Sequence, residues 1–163
     1  MELTPESVAA ERDRVADRAD AVVPILNETR AHLGELFDAD VDGVATVQYR
    51  REVDAVFADG DRAVNVAAYV GLLRELDVAG DYPGFVVDEV LGRRLAAAVA
   101  GGTPLSVLAE ATFHVADVRV RGDDGEGAGV NDLDAALAAG LQTRLPGWEW
   151  TAGDSPFAVP PRE

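Results

Sequence analysis

Leu133, Leu137, Leu141 and Leu145 recur at every fourth position, and Pro146-Gly147 closes the run. That spacing aligns all four side chains on one stripe of an α-helix, whereas on a strand they would not be set apart from their neighbours. Similar stripes recur along the chain and predict helix after helix. Thr4 can cap the first, with Pro5 in its first position and Glu6 near the positive end of its dipole. Val8, Val15, Ala19, Val22, Leu26, Leu33 and Leu36 follow at helical spacing. Pro24 lies inside that stripe, so it either kinks one long helix near Asp20 or splits it in two.

A second helix carries Tyr49, Val53, Val56 and Phe57 and stops at Asp59-Gly60. A third, from near Asp61, presents Val66, Tyr69, Val70, Leu73 and Leu76. After the linker DVAGDYPG, a fourth carries Val87, Leu91, Leu95 and Ala98, and Gly101-Gly102 ends it. Thr103-Pro104 then opens a fifth, with Leu105, Leu108, Thr112, Val115 and Val118. Its end, VADVRVRG, also alternates as a strand does, so 115–121 reads either way. GDDGEGAG follows as a loop, and Asn131 is placed to cap the sixth helix, the leucine ladder.

The expected fold is therefore all-α: one bundle of about six helices over residues 1–147, with an irregular, Pro-rich tail over 148–163. A chain of 163 residues can bury about 70% of its unfolded surface, so it needs neither disulfide nor metal to fold. It has no Cys, which removes thiolate chemistry and Cys-based zinc sites. No signal peptide pattern opens it, and no apolar run approaches the roughly 18 residues of a membrane helix. A cytoplasmic protein with no membrane partner is expected.

Charge narrows the partners. The formal net charge is −16, all 14 basic residues are Arg, and Ile25 is the sole Ile. This composition resembles that of cytosolic proteins from salt-in extreme halophiles. In molar salt the Debye length is about 3 Å, so acidity acts mainly by keeping the surface solvated. Nucleic-acid binding is disfavoured, because the basic pairs Arg50-Arg51 and Arg93-Arg94 do not amount to a basic patch.

One motif points towards metal. In FDADVDGVATVQYRRE, Asp38, Asp40 and Asp42 alternate and Gly43 follows, as in the first half of an EF-hand loop. Val44 would offer its carbonyl at position 7, and Thr46 would stand at 9. Position 12 calls for a bidentate Glu and holds Tyr49; the nearest carboxylate, Glu52, is almost a helical turn further on. Asp38, Asp40 and Asp42 are thus candidate ligands for a weak divalent cation at most, and the missing Glu favours an acidic turn.

The two His residues have matching surroundings. His32 lies between Glu28 and Glu35, and His114 between Glu110 and Asp117, at helical spacing. Brought together, the two sets could hold metal between helices. The carboxylate-bridged sites use Glu-x-x-His, however, and the order here is reversed. Both His residues also lie roughly 80° from their apolar stripes, which describes boundary residues with solvated acidic neighbours. No P-loop, nucleophile elbow or dinucleotide fingerprint occurs. GGTPLS reads as a helix stop and start, and Arg93-Arg94 as a complement to a helix dipole.

The tail concentrates aromatic surface: both Trp residues, Trp148 and Trp150, and Phe157 lie in it. They either dock on the bundle or form an interface, with a second copy or another protein, since exposed apolar patches mark partner sites. The preferred reading is a non-enzymatic interaction or regulatory protein without a resident cofactor. The alternative is a metal-dependent helical protein using the Asp loop or the His–carboxylate sets.

Overall fold

The computed structural model describes residues 1–76, 86–102, 104–120 and 128–148. Among these are seven helices and no strand: α1 (Pro5–Asp17), α2 (Ala19–Phe37), α3 (Thr46–Ala58), α4 (Gly60–Glu75), α5 (Val86–Ala100), α6 (Leu105–Val120) and α7 (Ala128–Gln142). The fold is all-α, as the periodicity predicts. It has one helix more than expected because the first long stripe is divided.

The division falls at Arg18, upstream of Pro24, which sits inside α2. Two tertiary contacts hold it there. The Tyr49 hydroxyl on α3 donates to the Val15 carbonyl at 2.8 Å. In a continuous helix that carbonyl would accept from the N–H four residues on. The Arg18 guanidinium bonds both oxygens of Asp134 on α7, at 2.9 and 2.5 Å. Partners distant in sequence thus decide where the helix breaks.

Other boundaries follow local chemistry. Ser7 N–H donates to Thr4 Oγ1 at 3.1 Å and Thr4 N–H to Ser7 Oγ at 2.8 Å, so α1 opens on a reciprocal cap. Asp59 ends α3 and, as N-cap of α4, accepts from the Arg62 N–H at 3.3 Å. α6 runs to Val120, so the ambiguous stretch is helical as far as that residue; Arg121 lies outside the described residues. α7 starts at Ala128, and Asn131 is inside it rather than its cap. Gly129 is drawn into the first turn, at only the backbone entropy that a glycine costs a helix. Thr103, the linker 77–85 and the loop 121–127 lie outside the described residues.

α7 is the central helix. Leu133, Leu137 and Leu141 are buried, and so are Ala135, Ala136, Ala138 and Ala139 between them. The leucine ladder shows one stripe. The alanines make the other faces apolar too, and α2, α4, α5 and α6 cover them. Gly140 permits the close approach of α5, since a Cβ there would stand 2.8 Å from the Ala96 carbonyl oxygen. Leu26, Tyr49, Leu73, Leu95 and Phe113 pack into the same core. Each such large side chain contributes about 1.5–3 kcal/mol by leaving water. After Gln142, the N–H groups of Thr143, Arg144 and Leu145 donate to carbonyls three residues back, which tightens the final turn. Gly147, at φ 124°, then redirects the chain to Trp148.

Candidate functional site

The Asp loop is built from α2 outward. Asp38 closes α2 in the left-handed conformation, at φ 49°, which Asp tolerates better than most residues. The chain then alternates. Asp38, Asp40 and Asp42 are exposed, whereas Val44 is buried and Val41 is partly so. Val41 fits into space left beside Gly34 and Gly147, which ties the loop to both α2 and the turn after α7.

Two side chains of α2 take up the loop's backbone. Asn27 Nδ2 donates to the Val44 carbonyl at 3.0 Å, and its Oδ1 accepts from the Val44 N–H at 2.8 Å. Arg30, only 2% exposed, donates from Nε to the Asp42 carbonyl at 3.0 Å. Its Nη1 reaches the Gln142 carbonyl at 2.8 Å and its Nη2 the Pro146 carbonyl. One buried guanidinium therefore joins the loop to the carbonyl-rich end of α7, where a cation is favoured.

This arrangement departs from a calcium loop at each decisive position. The position-7 carbonyl, that of Val44, is already an acceptor for Asn27. Gly43 is not in the positive-φ conformation, so the sharp turn at position 6 is missing. Tyr49 is buried and its hydroxyl is bonded to Val15. Glu52 accepts from Arg144 Nε at 3.1 Å. Among the described residues, no group of three or more His, Asp or Glu is gathered as a metal would require.

The His sets also stay apart from any such group. His32 is half-buried, with Glu28 and Glu35 exposed; His114 is exposed. Glu110 lies 3.6 Å from Arg94 across α5 and α6. Asp117 corrects the expectation of solvated neighbours, because it is 1% exposed. It shares the face of α6 that carries Phe113, one turn earlier, and that face is covered.

Arg93 and Arg94 lie in the body of α5 rather than at its end, and they border a groove between α5 and α6 of about 540 Å³. Val90 and Val107 in its wall are 52% and 45% exposed, and His114 and Glu110 complete its rim. Arg93 faces Glu89 at 3.8 Å, a loose contact like that of Arg94 with Glu110. Both guanidiniums remain accessible. Periodicity did not single out Val90 and Val107, and it placed on the apolar stripes Val87 and Val118, which the structure leaves 52% and 53% exposed.

Of the tail aromatics, Trp148 is buried against its own chain. Its Nε1 donates to the Gln142 carbonyl at 3.0 Å, and its ring meets that of Phe37 edge to face at 6.3 Å. Trp150 and Phe157 lie outside the described residues. Among the described residues, no helix is long and apolar enough to cross a membrane.

Compared with known proteins, residues 1–161 match a family described as a domain of unknown function (DUF7984). No curated protein and no solved structure matches.

Proposed function

We propose that this chain, which belongs to the DUF7984 family, is a non-enzymatic protein-interaction module of a salt-rich cytosol whose docking face is the α5–α6 groove. The observation that carries the reading is the pairing of exposed Val90 and Val107 with the accessible Arg93 and Arg94 beside them. Isolated surface valines need no explanation; two that line one groove from its two helices, next to two cations on a chain of net charge −16, favour an acidic amphipathic helix. The helix's apolar side would cover the valines and its carboxylates would meet the arginines. In molar salt the apolar contact supplies most of the affinity, because long-range attraction is screened. The composition supports the cytosolic, salt-adapted setting. A metal-dependent role finds no support in the Asp loop, whose position-7 carbonyl and nearest carboxylate are already bonded.

A photo-crosslinker at Val87, used in native cytosol at molar potassium chloride, identifies the partner. The purified partner is then titrated against the wild-type chain and Val90→Glu. An acidic helical segment that binds the wild type and loses affinity by about tenfold or more for the variant supports the reading. Equal affinity for both, or no specific cross-link, overturns it.

A further inference from the structure

A second cleft, of about 450 Å³, opens beside the break between α1 and α2 and shares no lining residue with the α5–α6 groove. Its apolar wall is formed by Val15, Val70 and Leu133, from three different helices. Three of the chain's 14 arginines, Arg14, Arg18 and Arg74, line it. On so acidic a chain that gathering has a structural cause. Glu11 is 6% exposed, and its Oε1 accepts from both Arg14 Nη1 at 2.7 Å and Arg74 Nη2 at 2.6 Å. Asp134, 5% exposed, holds Arg18 through two bonds. Buried carboxylates thus hold the guanidiniums and leave the arginine side chains 39–52% exposed.

The charges are unequal at one point. One carboxylate, Glu11, serves two guanidiniums, and Arg14 and Arg74 each spend a single nitrogen on it. Each therefore keeps further N–H donors, the kind of group that pairs with a carboxylate. Asp17, also on the cleft's lining, adds an anion of its own, which disfavours a ligand carrying more than one negative charge. The cleft volume lies in the usual range for small-molecule sites, and an apolar wall with a few fixed polar groups is their common composition.

We propose that this cleft binds a small monocarboxylate with an apolar body, its carboxylate on Arg14 and Arg74 and its hydrocarbon against Val15, Val70 and Leu133. The site is independent of the α5–α6 groove and makes the module a candidate sensor of an organic acid.

The test is an NMR titration of the full chain in molar potassium chloride, with hexanoate as the probe and acetate and 1-hexanol as its charge-only and hydrocarbon-only counterparts. Hexanoate should give saturable shifts at the Val15, Val70 and Leu133 methyls and at the Arg14 and Arg74 Nε–H signals. Its affinity should exceed that of either counterpart by about tenfold. Arg14→Gln leaves Glu11 bonded to Arg74 and should weaken hexanoate about tenfold with little change in melting. Val90→Glu, in the other groove, should leave hexanoate binding unchanged. No saturable shift at these groups, 1-hexanol binding as well as hexanoate, or undiminished binding to Arg14→Gln each overturns the proposal.

Discussion

Asn27 and Val44 are bound to each other twice: the side-chain amide of one donates to the carbonyl of the other and accepts from its N–H. An α2 side chain thereby plays the part of a neighbouring strand for a loop that has none. Val44 is buried, so losing Asn27 would strand a peptide group away from water. Asn27→Ala should cost about 1–3 kcal/mol in urea denaturation at fixed potassium chloride. Asn27→Asp removes the donor to the Val44 carbonyl and should fall between the two. Equal stability of all three proteins would show that water replaces the amide.

The same contact bears on calcium. Binding at Asp38, Asp40 and Asp42 would require the Val44 carbonyl to leave Asn27 and the backbone at Gly43 to turn sharply. Calorimetry in molar potassium chloride should therefore be flat at micromolar calcium. A micromolar transition that Asp40→Ala abolishes would show that the loop rearranges around the ion.

Tyr49 does two things at the helix break. Its ring fills the core, and its hydroxyl bonds the Val15 carbonyl. Tyr49→Phe keeps the ring and should cost about 1 kcal/mol. Burial, assisted by the nearby Asp134 carboxylate, holds the phenol protonated well above the usual tyrosine range. A raised folded-state pKa means stability is complete below the unfolded value of about 10 and falls as pH rises beyond it. The wild type should lose stability there relative to Tyr49→Phe. Alkaline absorbance titration should show one of three tyrosines ionising only with unfolding.

Spacing alone revealed the helices, because 3.6-residue periodicity depends on which side of each segment is covered. Pro24 announced a kink or a split in the first stripe but not its place at Arg18, where Tyr49 and Asp134, residues far along the chain, make their bonds. Spacing also could not show that α7 is enclosed on every side, since alanines fit a buried face or an exposed one. The Asp loop was legible as a turn, but the role of Asn27 was not: nothing marks a mid-helix Asn as a partner for a residue 17 positions later. The arginine cleft has a faint local signal, Arg14 and Arg18 four residues apart. Arg74 and Leu133 join them only through the fold.

Thirty carboxylates against 14 arginines should make folding depend on salt. Screening shortens the reach of repulsion from about 30 Å at 0.01 M to about 3 Å at 1 M. Circular dichroism should show lower helicity and a lower melting temperature at tens of millimolar potassium chloride than at molar concentration. Identical curves would contradict a salt-adapted cytosol.

Asp88 is fully buried in the first turn of α5, and among the described residues neither of its carboxylate oxygens has a hydrogen-bond partner. The helix dipole favours its anion, but burial works against it and raises its pKa. With the folded-state pKa raised, Asp88 stabilises the fold fully below its unfolded pKa, near 4, and this contribution is lost as pH rises through the folded value. Asp88→Asn has the same shape and no charge. Its stability relative to the wild type should therefore grow as pH rises above about 4 and then level off. The gain is about 1.4 kcal/mol for each unit by which burial raises the pKa. Urea denaturation of both proteins at constant potassium chloride measures the difference directly and cancels the titration of the other carboxylates. A difference that does not change with pH would mean that the Asp88 carboxylate titrates as an exposed group does.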